Sequence, residues 1–247
     1  NENDGNVSAP EDDADGAMKV AWGQLLTTYS RRGGMSDTGQ ERLNLRYATT
    51  EELVERLGIE EAQADALRAF ASNPSVTLEM LLTTSLSSTQ TGSGTDVPPN
   101  AGGRQQQQQP QSSELDLTND QLRVVLGECT TDDPLDGPQP GKLNINTVSE
   151  SLLRQMFSDP STERLVDEIL YLRNNRGEGV TSLVDLKDIP DIQGPDLDRL
   201  ARAFDVRSNV FLVSSKGRSE SSGLEVEIVA VVDRSTLPVK ILEYREQ

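Results

Sequence analysis

The heptapeptide Leu43-Asn44-Leu45-Arg46-Tyr47-Ala48-Thr49 returns one hundred residues later as Leu143-Asn144-Ile145-Asn146-Thr147-Val148-Ser149, and Leu53 returns as Leu153. No other feature constrains the fold as much, because it requires two copies of one local architecture. In each copy an extended apolar/polar alternation runs into a helix start. Thr49 with Glu52, and Thr147 with Glu150, have the spacing of a capping box. The helices that follow should bury Leu53, Val54 and Leu57 in the first copy, and Leu152, Leu153 and Met156 in the second. A second helix is expected over 62–70 and again over 162–173, where Leu165, Ile169 and Leu172 keep helical spacing. The second copy goes on through Thr181-Ser182-Leu183-Val184-Asp185-Leu186 to a helix from Asp196 to about Phe204, with Pro195 suited to its first turn.

Beyond residue 206 the apolar period changes from 3.6 to 2. Residues 210–213, 224–232 and 239–245 read as three strands of an antiparallel meander, with turn chemistry at Gly217 and at Ser221-Ser222-Gly223. A three-stranded sheet needs something to pack against. The candidate is residues 17–32, where Val20, Trp22, Leu25, Leu26 and Tyr29 should form a strand or short helix docked on the sheet. The expected fold class is therefore α+β. Residues 17–42 and 206–247 supply the two ends of one core, and an all-α domain of helix-hairpin-helix or SAM-like repeats, residues 43–205, is inserted between them. Residues 1–16 are acidic and polar, and read as a disordered tail or linker. Residues 87–114, which include the Gln105–Gln109 run, are a low-complexity insertion, read as a variable surface loop or a functional one.

Composition removes several chemistries. The 247 residues include no His, which excludes His-based acid/base catalysis, Ser-His-Asp or Cys-His nucleophiles and His metal ligation. Cys129 is the only cysteine, so neither an internal disulfide nor a thiolate cluster can form. With no His partner and no neighbouring cation in sequence, it reads as a buried, inert thiol. The net charge is -18. Residues 206–247 hold six bases and six acids, so the whole excess lies in residues 1–205. Such acidity argues against nucleic acid, which needs clustered Lys and Arg. No stretch reaches the roughly 20 apolar residues of a membrane span. The chain starts Asn1-Glu2-Asn3-Asp4, and reads as a processed or trimmed product.

The helical region resembles tandem helix-hairpin-helix units of the competence-type DNA-binding module. There, a Gly-Ile-Gly turn offers backbone N–H groups to a phosphate at a helix N-terminus. Here Gly58-Ile59-Glu60 has an acid where the second Gly belongs. Phe157-Ser158-Asp159-Pro160 has no Gly, and Ile189-Pro190-Asp191-Ile192-Gln193-Gly194 has Asp191 where a first Gly belongs. A carboxylate there repels phosphate and competes for the same donors. The turns read as packing elements, with a nucleic-acid-binding module as the alternative. Asp132-Asp133-Pro134-Leu135-Asp136-Gly137 has the carboxylate density of a calcium loop without EF-hand spacing, and reads as a plain acidic turn. A glycosidase-like carboxylate pair would need a cleft in which two acids converge, and no pair stands out. Gly33-Gly34 and Gly177-Glu178-Gly179 read as ordinary turns.

The order of parts carries a further resemblance. Gly141-Lys142-Leu143-Asn144-Ile145-Asn146-Thr147 leads into helices, and Phe204-Asp205-Val206-Arg207-Ser208-Asn209-Val210-Phe211 follows them. Val231-Val232-Asp233-Arg234 and Ile241-Leu242-Glu243-Tyr244-Arg245-Glu246 complete the set. Over roughly residues 18–247 this resembles the protein K family of type II (general) secretion, the large minor pseudopilin. The resemblance implies a pilin-like antiparallel sheet core carrying the helical insertion. It also implies a non-enzymatic role at the periplasmic pseudopilus tip, with other minor pseudopilins as partners in a hetero-oligomeric complex that helps start assembly. Membrane attachment, at the periplasmic face of the inner membrane, would be only through an N-terminal hydrophobic helix absent from this sequence. Family members can bind calcium in the helical part. The sequence assigns no catalytic, cofactor-binding or metal residues, and no cofactor.

Overall fold

The computed structural model describes residues 29–36, 38–89, 115–133, 135, 137, 139–157 and 162–246. The 1–16 tail, Val20, Trp22, Leu25, Leu26 and residues 90–114 lie outside them, as do Ser158, Asp159 and Pro160. The architecture is α+β: the described residues form two short parallel strand pairs, seven α-helices and a C-terminal antiparallel sheet.

The two repeats share one plan, to which the first adds a short helix. In the first, β1 (Leu43–Asn44) leads to α1 (Thr50–Leu57), α2 (Glu61–Ala71), a 3₁₀ turn (Leu78–Leu82), a short α3 (Leu86–Thr89), α4 (Asn119–Glu128) and β2 (Cys129–Thr130). In the second, β3 (Leu143–Asn144) leads to α5 (Glu150–Met156), α6 (Glu163–Asn175), a 3₁₀ turn (Leu183–Asp188), α7 (Gly194–Ala203) and β4 (Phe204–Asp205). The outgoing strand lies parallel to the incoming one in both, Leu43 opposite Cys129 and Leu143 opposite Phe204.

The repeated asparagine is the device that turns strand into helix. Asn44 Oδ1 accepts the Arg46 amide at 2.9 Å, and Asn144 Oδ1 accepts the Asn146 amide at the same distance. Each Nδ2 then reaches across to the returning chain, to the Asp132 carbonyl at 2.7 Å and the Ser208 hydroxyl at 3.1 Å. An Asx turn thereby fixes the chain direction and ties the repeat shut. The preceding cations match as well. Arg42 Nη1 donates to the Leu126 carbonyl at the end of α4, and Lys142 Nζ to the Ala201 carbonyl at the end of α7. Both satisfy helix C-terminal acceptors that have no partner within the helix.

Capping follows the sequence in the first repeat and shifts in the second. Thr49 and Glu52 form the expected capping box on α1. On α5 the cap is Ser149, whose hydroxyl accepts the Leu152 amide at 3.3 Å, and the Thr147–Glu150 pairing is not used. Thr147 is drawn into the preceding turn, its amide bonded to the Asn144 carbonyl.

One apolar core runs through both repeats, centred on fully buried Leu45, Leu53, Leu67, Val125, Ile145, Leu153, Ile169, Leu186, Leu200 and Phe204. Each such side chain contributes about 2 kcal/mol by leaving water. Phe157 stacks on Phe204 with ring centroids 6.3 Å apart. The repeats exchange partners: α4 packs on the 3₁₀ turn of the second repeat, and α7 on that of the first.

The sheet runs β5 (Val210–Arg218), β6 (Glu225–Asp233), β7 (Lys240–Glu246), all antiparallel. The turn expected at Gly217 does not occur there. The strand continues through it to Arg218, paired with Glu225, because the cross-strand ion pairs Lys216–Glu227 and Arg218–Glu225 extend the ladder.

Candidate functional site

The helical hairpins are the first place to look for a ligand. At the α1–α2 hairpin Gly58 takes the left-handed conformation at φ 64°, Ile59 is buried, and Glu60 stands at the N-cap of α2. At the hairpin before α7, Asp191 is left-handed at φ 59°, the single such non-glycine residue among those described, and Gln193 is the N-cap. A left-handed residue, an Ile packed on the core and a polar N-cap thus recur at both turns, Ile59 being buried and Ile192 partly so. The carboxylates stand where the sequence placed them. Gln63 Oε1 accepts the Glu60 amide at 3.2 Å, so that turn is satisfied from within. Asp191 faces Arg164 at 3.4 Å.

Polar chemistry concentrates instead where the repeats meet. Asp185, 1% exposed, accepts from the Thr181 and Ser182 amides and the Thr181 hydroxyl. It also ion-pairs with Arg123 on α4 at 2.8 Å and with Arg176 at 3.1 Å. Burial alone would raise its pKa. Arg123 and the Ser182 and Thr181 donors outweigh burial and hold the carboxyl at about 2. On the other side of the joint, Glu79 accepts from Lys142 Nζ at 2.5 Å and lies 3.5 Å from Arg32. Burial pulls the Lys142 pKa down. For Glu79, burial opposes ionisation but Lys142 and Arg32 prevail, and its pKa falls. Glu128 is held by Arg56 at 3.0 Å and by Thr38.

Between these joints and the base of the sheet lies a cleft of about 880 Å³. Arg32, Arg42, Arg123, Arg207 and Arg234 line it, against Glu79 and Asp205. These arginines serve the structure: Arg32 is held on Asp132, Arg42 on backbone carbonyls and Arg123 on Asp185, and Arg234 lies over the Phe211 ring. The hairpin turns at 58–60 and 191–193 do not border it. Cys129, at its wall, is fully buried, and burial pushes its thiol up to about 12, far from a thiolate nucleophile.

In the acidic turn, Asp132 pairs with Arg32 at 3.0 Å, and Asp133 accepts the Leu135 amide and the Tyr47 hydroxyl. Among the described residues no three carboxylate or thiol groups converge as a metal ion requires. Gly179 occupies its turn at φ 71° against Asn146, as an ordinary turn glycine.

The N-terminal stretch joins the helical body to the sheet. The Tyr29 hydroxyl donates to the Glu243 carboxylate on β7. Arg31 Nη1 lies 3.2 Å from Asp233 Oδ2, and Asn209 Nδ2 donates to the Arg31 carbonyl. The Gly34 amide bonds the Ser235 carbonyl, while the Arg32 amide bonds the Gln139 carbonyl. Asp233 is fully buried. Burial acts to raise its pKa, but the Ser235 hydroxyl and amide, then Arg31 and Lys240, keep it below the ordinary value. Tyr29, expected from the sequence to dock on the sheet, meets β7, while the individual ion-pair and backbone partners of residues 31–34, about 200 residues away, carry no sequence signal. The Asp185 node was within reach through the Ser182–Asp185 capping spacing, which forms.

Comparison with protein-family models, with curated proteins and with solved structures finds no match. Among the described residues no helix is long and apolar enough to cross a membrane.

Proposed function

We propose that this chain is a non-enzymatic minor pseudopilin of the protein K type, acting at the periplasmic face of the inner membrane at the tip of a type II secretion pseudopilus. The observation that carries the reading is the joint at the sheet. Residues 29–34 and residues 209–243, which bracket the duplicated helical body in sequence, are bound to each other through Tyr29–Glu243, Arg31–Asp233 and Gly34–Ser235. The helical body is then a branch from a β scaffold whose two ends are closed on one another, as in a pilin-like core bearing an insertion. A body of that bulk is accommodated at the end of a fibre rather than along it, and this favours a tip position. The carboxylates at both hairpin turns favour helix-hairpin-helix units reused for packing.

The test is site-specific crosslinking of the periplasmic domain with the other minor pseudopilins of a type II secretion system. A hetero-oligomer is expected, and association with none of them would refute the assignment. Retention on duplex DNA at low salt with a steep salt dependence would instead favour the nucleic-acid reading.

A further inference from the structure

The two edges of the C-terminal sheet are built differently. On the β7 edge a bulge interrupts the pairing between Val231 and Val232. On the β5 edge all nine residues pair with β6 in unbroken register, and none is proline. Leu212, near its start, is 71% exposed. Sheet proteins ordinarily blunt a long, flat edge, since it invites another strand. The Arg234 amide donates to the Asn209 carbonyl at 2.7 Å, and the Ser219 amide to the Leu224 carbonyl at 2.8 Å, at the two ends of the β5–β6 register. Odd-numbered residues of β5 therefore exchange ladder bonds with β6. Val210, Leu212, Ser214, Lys216 and Arg218 turn their N–H and C=O groups to the outer edge. Among the described residues no strand pairs with that row.

This row is its own complement. Turned half a revolution about its middle residue, Ser214, an antiparallel β5 meets β5 over its full length. Ser214 then faces Ser214, Leu212 faces Lys216 and Val210 faces Arg218, all as hydrogen-bonded pairs. Between them Phe211 faces Gly217, in the closer, non-hydrogen-bonded kind of pair. Glycine inside a strand weakens it unless a neighbour fills the space its side chain leaves. A Cβ at Gly217 would meet no atom within 4 Å, and the Phe211 ring, on the same face, is 38% exposed. Each molecule thus carries both the ring and the gap that a ring fills, equidistant from Ser214. Lys216 and Arg218 keep their own partners, Glu227 and Glu225. Across the joint they lay only their aliphatic stems along Leu212 and Val210, and no like charges stand opposite one another.

The distribution of charge permits a second copy here and opposes it elsewhere. Residues 43–205 hold 27 acids against 13 bases, whereas residues 206–247 are balanced. Pairing through the helical surface would set acid against acid. Antiparallel β5–β5 pairing puts the two helical bodies at opposite ends of the joined sheet. Nine residues of strand span about 30 Å, well beyond the screening length of about 8 Å at physiological ionic strength. We propose that β5 is a self-association edge: two copies of this chain join β5 to β5 about Ser214 into one continuous sheet, the Phe211 ring of each lying over Gly217 of the other. The inference is independent of the pseudopilin reading.

Sedimentation equilibrium of the whole chain, from micromolar to millimolar, tests it. The mass should rise with concentration from 27.0 kDa toward twice that value. Ser214→Pro removes the outward N–H at the two-fold axis and leaves the β5–β6 ladder intact, and should weaken association at least tenfold. The same change on the opposite edge, Glu246→Pro, should leave it within twofold. Amide hydrogen exchange on the unmutated protein needs no variant. Raising the concentration should protect the Leu212, Ser214 and Lys216 amides, while those of Phe211, Val213 and Ser215, already bonded to β6, change little. A mass that stays at 27.0 kDa at millimolar concentration, equal association of Ser214→Pro, or protection on β7 instead would overturn the proposal. So would protection of the same β5 amides only on adding the other minor pseudopilins, which would give the edge to a different polypeptide.

Discussion

Replacing Asp185 by Asn tests whether the two repeats are held by a buried charge. The side chain is almost fully enclosed and receives three hydrogen bonds from Thr181 and Ser182, with guanidinium groups of Arg123 and Arg176 beside it. Its pKa falls from an ordinary 3.8 to about 2. At about 1.4 kcal/mol per pH unit, that difference corresponds to roughly 2 kcal/mol of folding stability. Because the folded value is the lower one, the contribution is complete above the unfolded pKa near 3.8 and disappears as pH falls toward 2. Asn keeps the shape, removes the charge and turns an NH₂ group toward existing donors. At pH 7 the variant should lose about 2–3 kcal/mol, a fall in Tm on the order of 5–10 °C for a chain of this size. Urea unfolding of both proteins at pH 7, 5, 3.5 and 2 is the assay. The curves should converge at the acid end. A gap of constant size from pH 7 to pH 2, or no gap at pH 7, would show that Asp185 is not the clamp described.

Three further outcomes are expected. Cys129 should not react with a thiol reagent at pH 8 in the folded protein and should react fully in denaturant, a stopped-flow comparison that reports its burial and raised pKa. Gly179→Ala should cost about 2 kcal/mol by chemical denaturation. Its φ is 71°, and the new methyl would sit 2.5 Å from Asn146 Oδ1, an atom held by the Val180 amide at 2.8 Å. Replacing residues 90–114 by a four-residue Gly-Ser link should leave the unfolding free energy unchanged or raise it, by about 2 kcal/mol at most from loop-closure entropy. The second repeat makes the corresponding connection in the five residues 189–193.

The parts legible in the sequence were those set by local chemistry. The repeated Leu-Asn-apolar motif announced both copies because Asn is well suited to closing the turn and reaching across to the returning chain. Thr49 with Glu52, Pro195 and the carboxylates at 60 and 191 were readable from spacing alone. The cap on α5 was misplaced because Thr147 and Ser149 compete for one role, and the turn before the helix claims Thr147. Gly217 looked like a turn because its effect on strand propensity is local, while the ion pairs that extend β5 lie across the sheet. The incoming strands showed as the alternation at 43–46 and 143–146, whereas the two-residue returning strands at 129–130 and 204–205 were too short to leave one. The joints that place the site, Arg31–Asp233, Arg123–Asp185 and Lys142–Glu79, link residues far apart in the chain, and no periodicity encodes such partners.

The exchange of partners between the repeats has a consequence for how the molecule comes apart. Each copy seats its last helix on the other copy's 3₁₀ turn, the arrangement of two protomers joined end to end by residues 131–142. Severed at that tether, either half would bare a greasy flank. The pair should consequently melt in a single cooperative step, and a scission there should yield fragments that regain structure only when mixed.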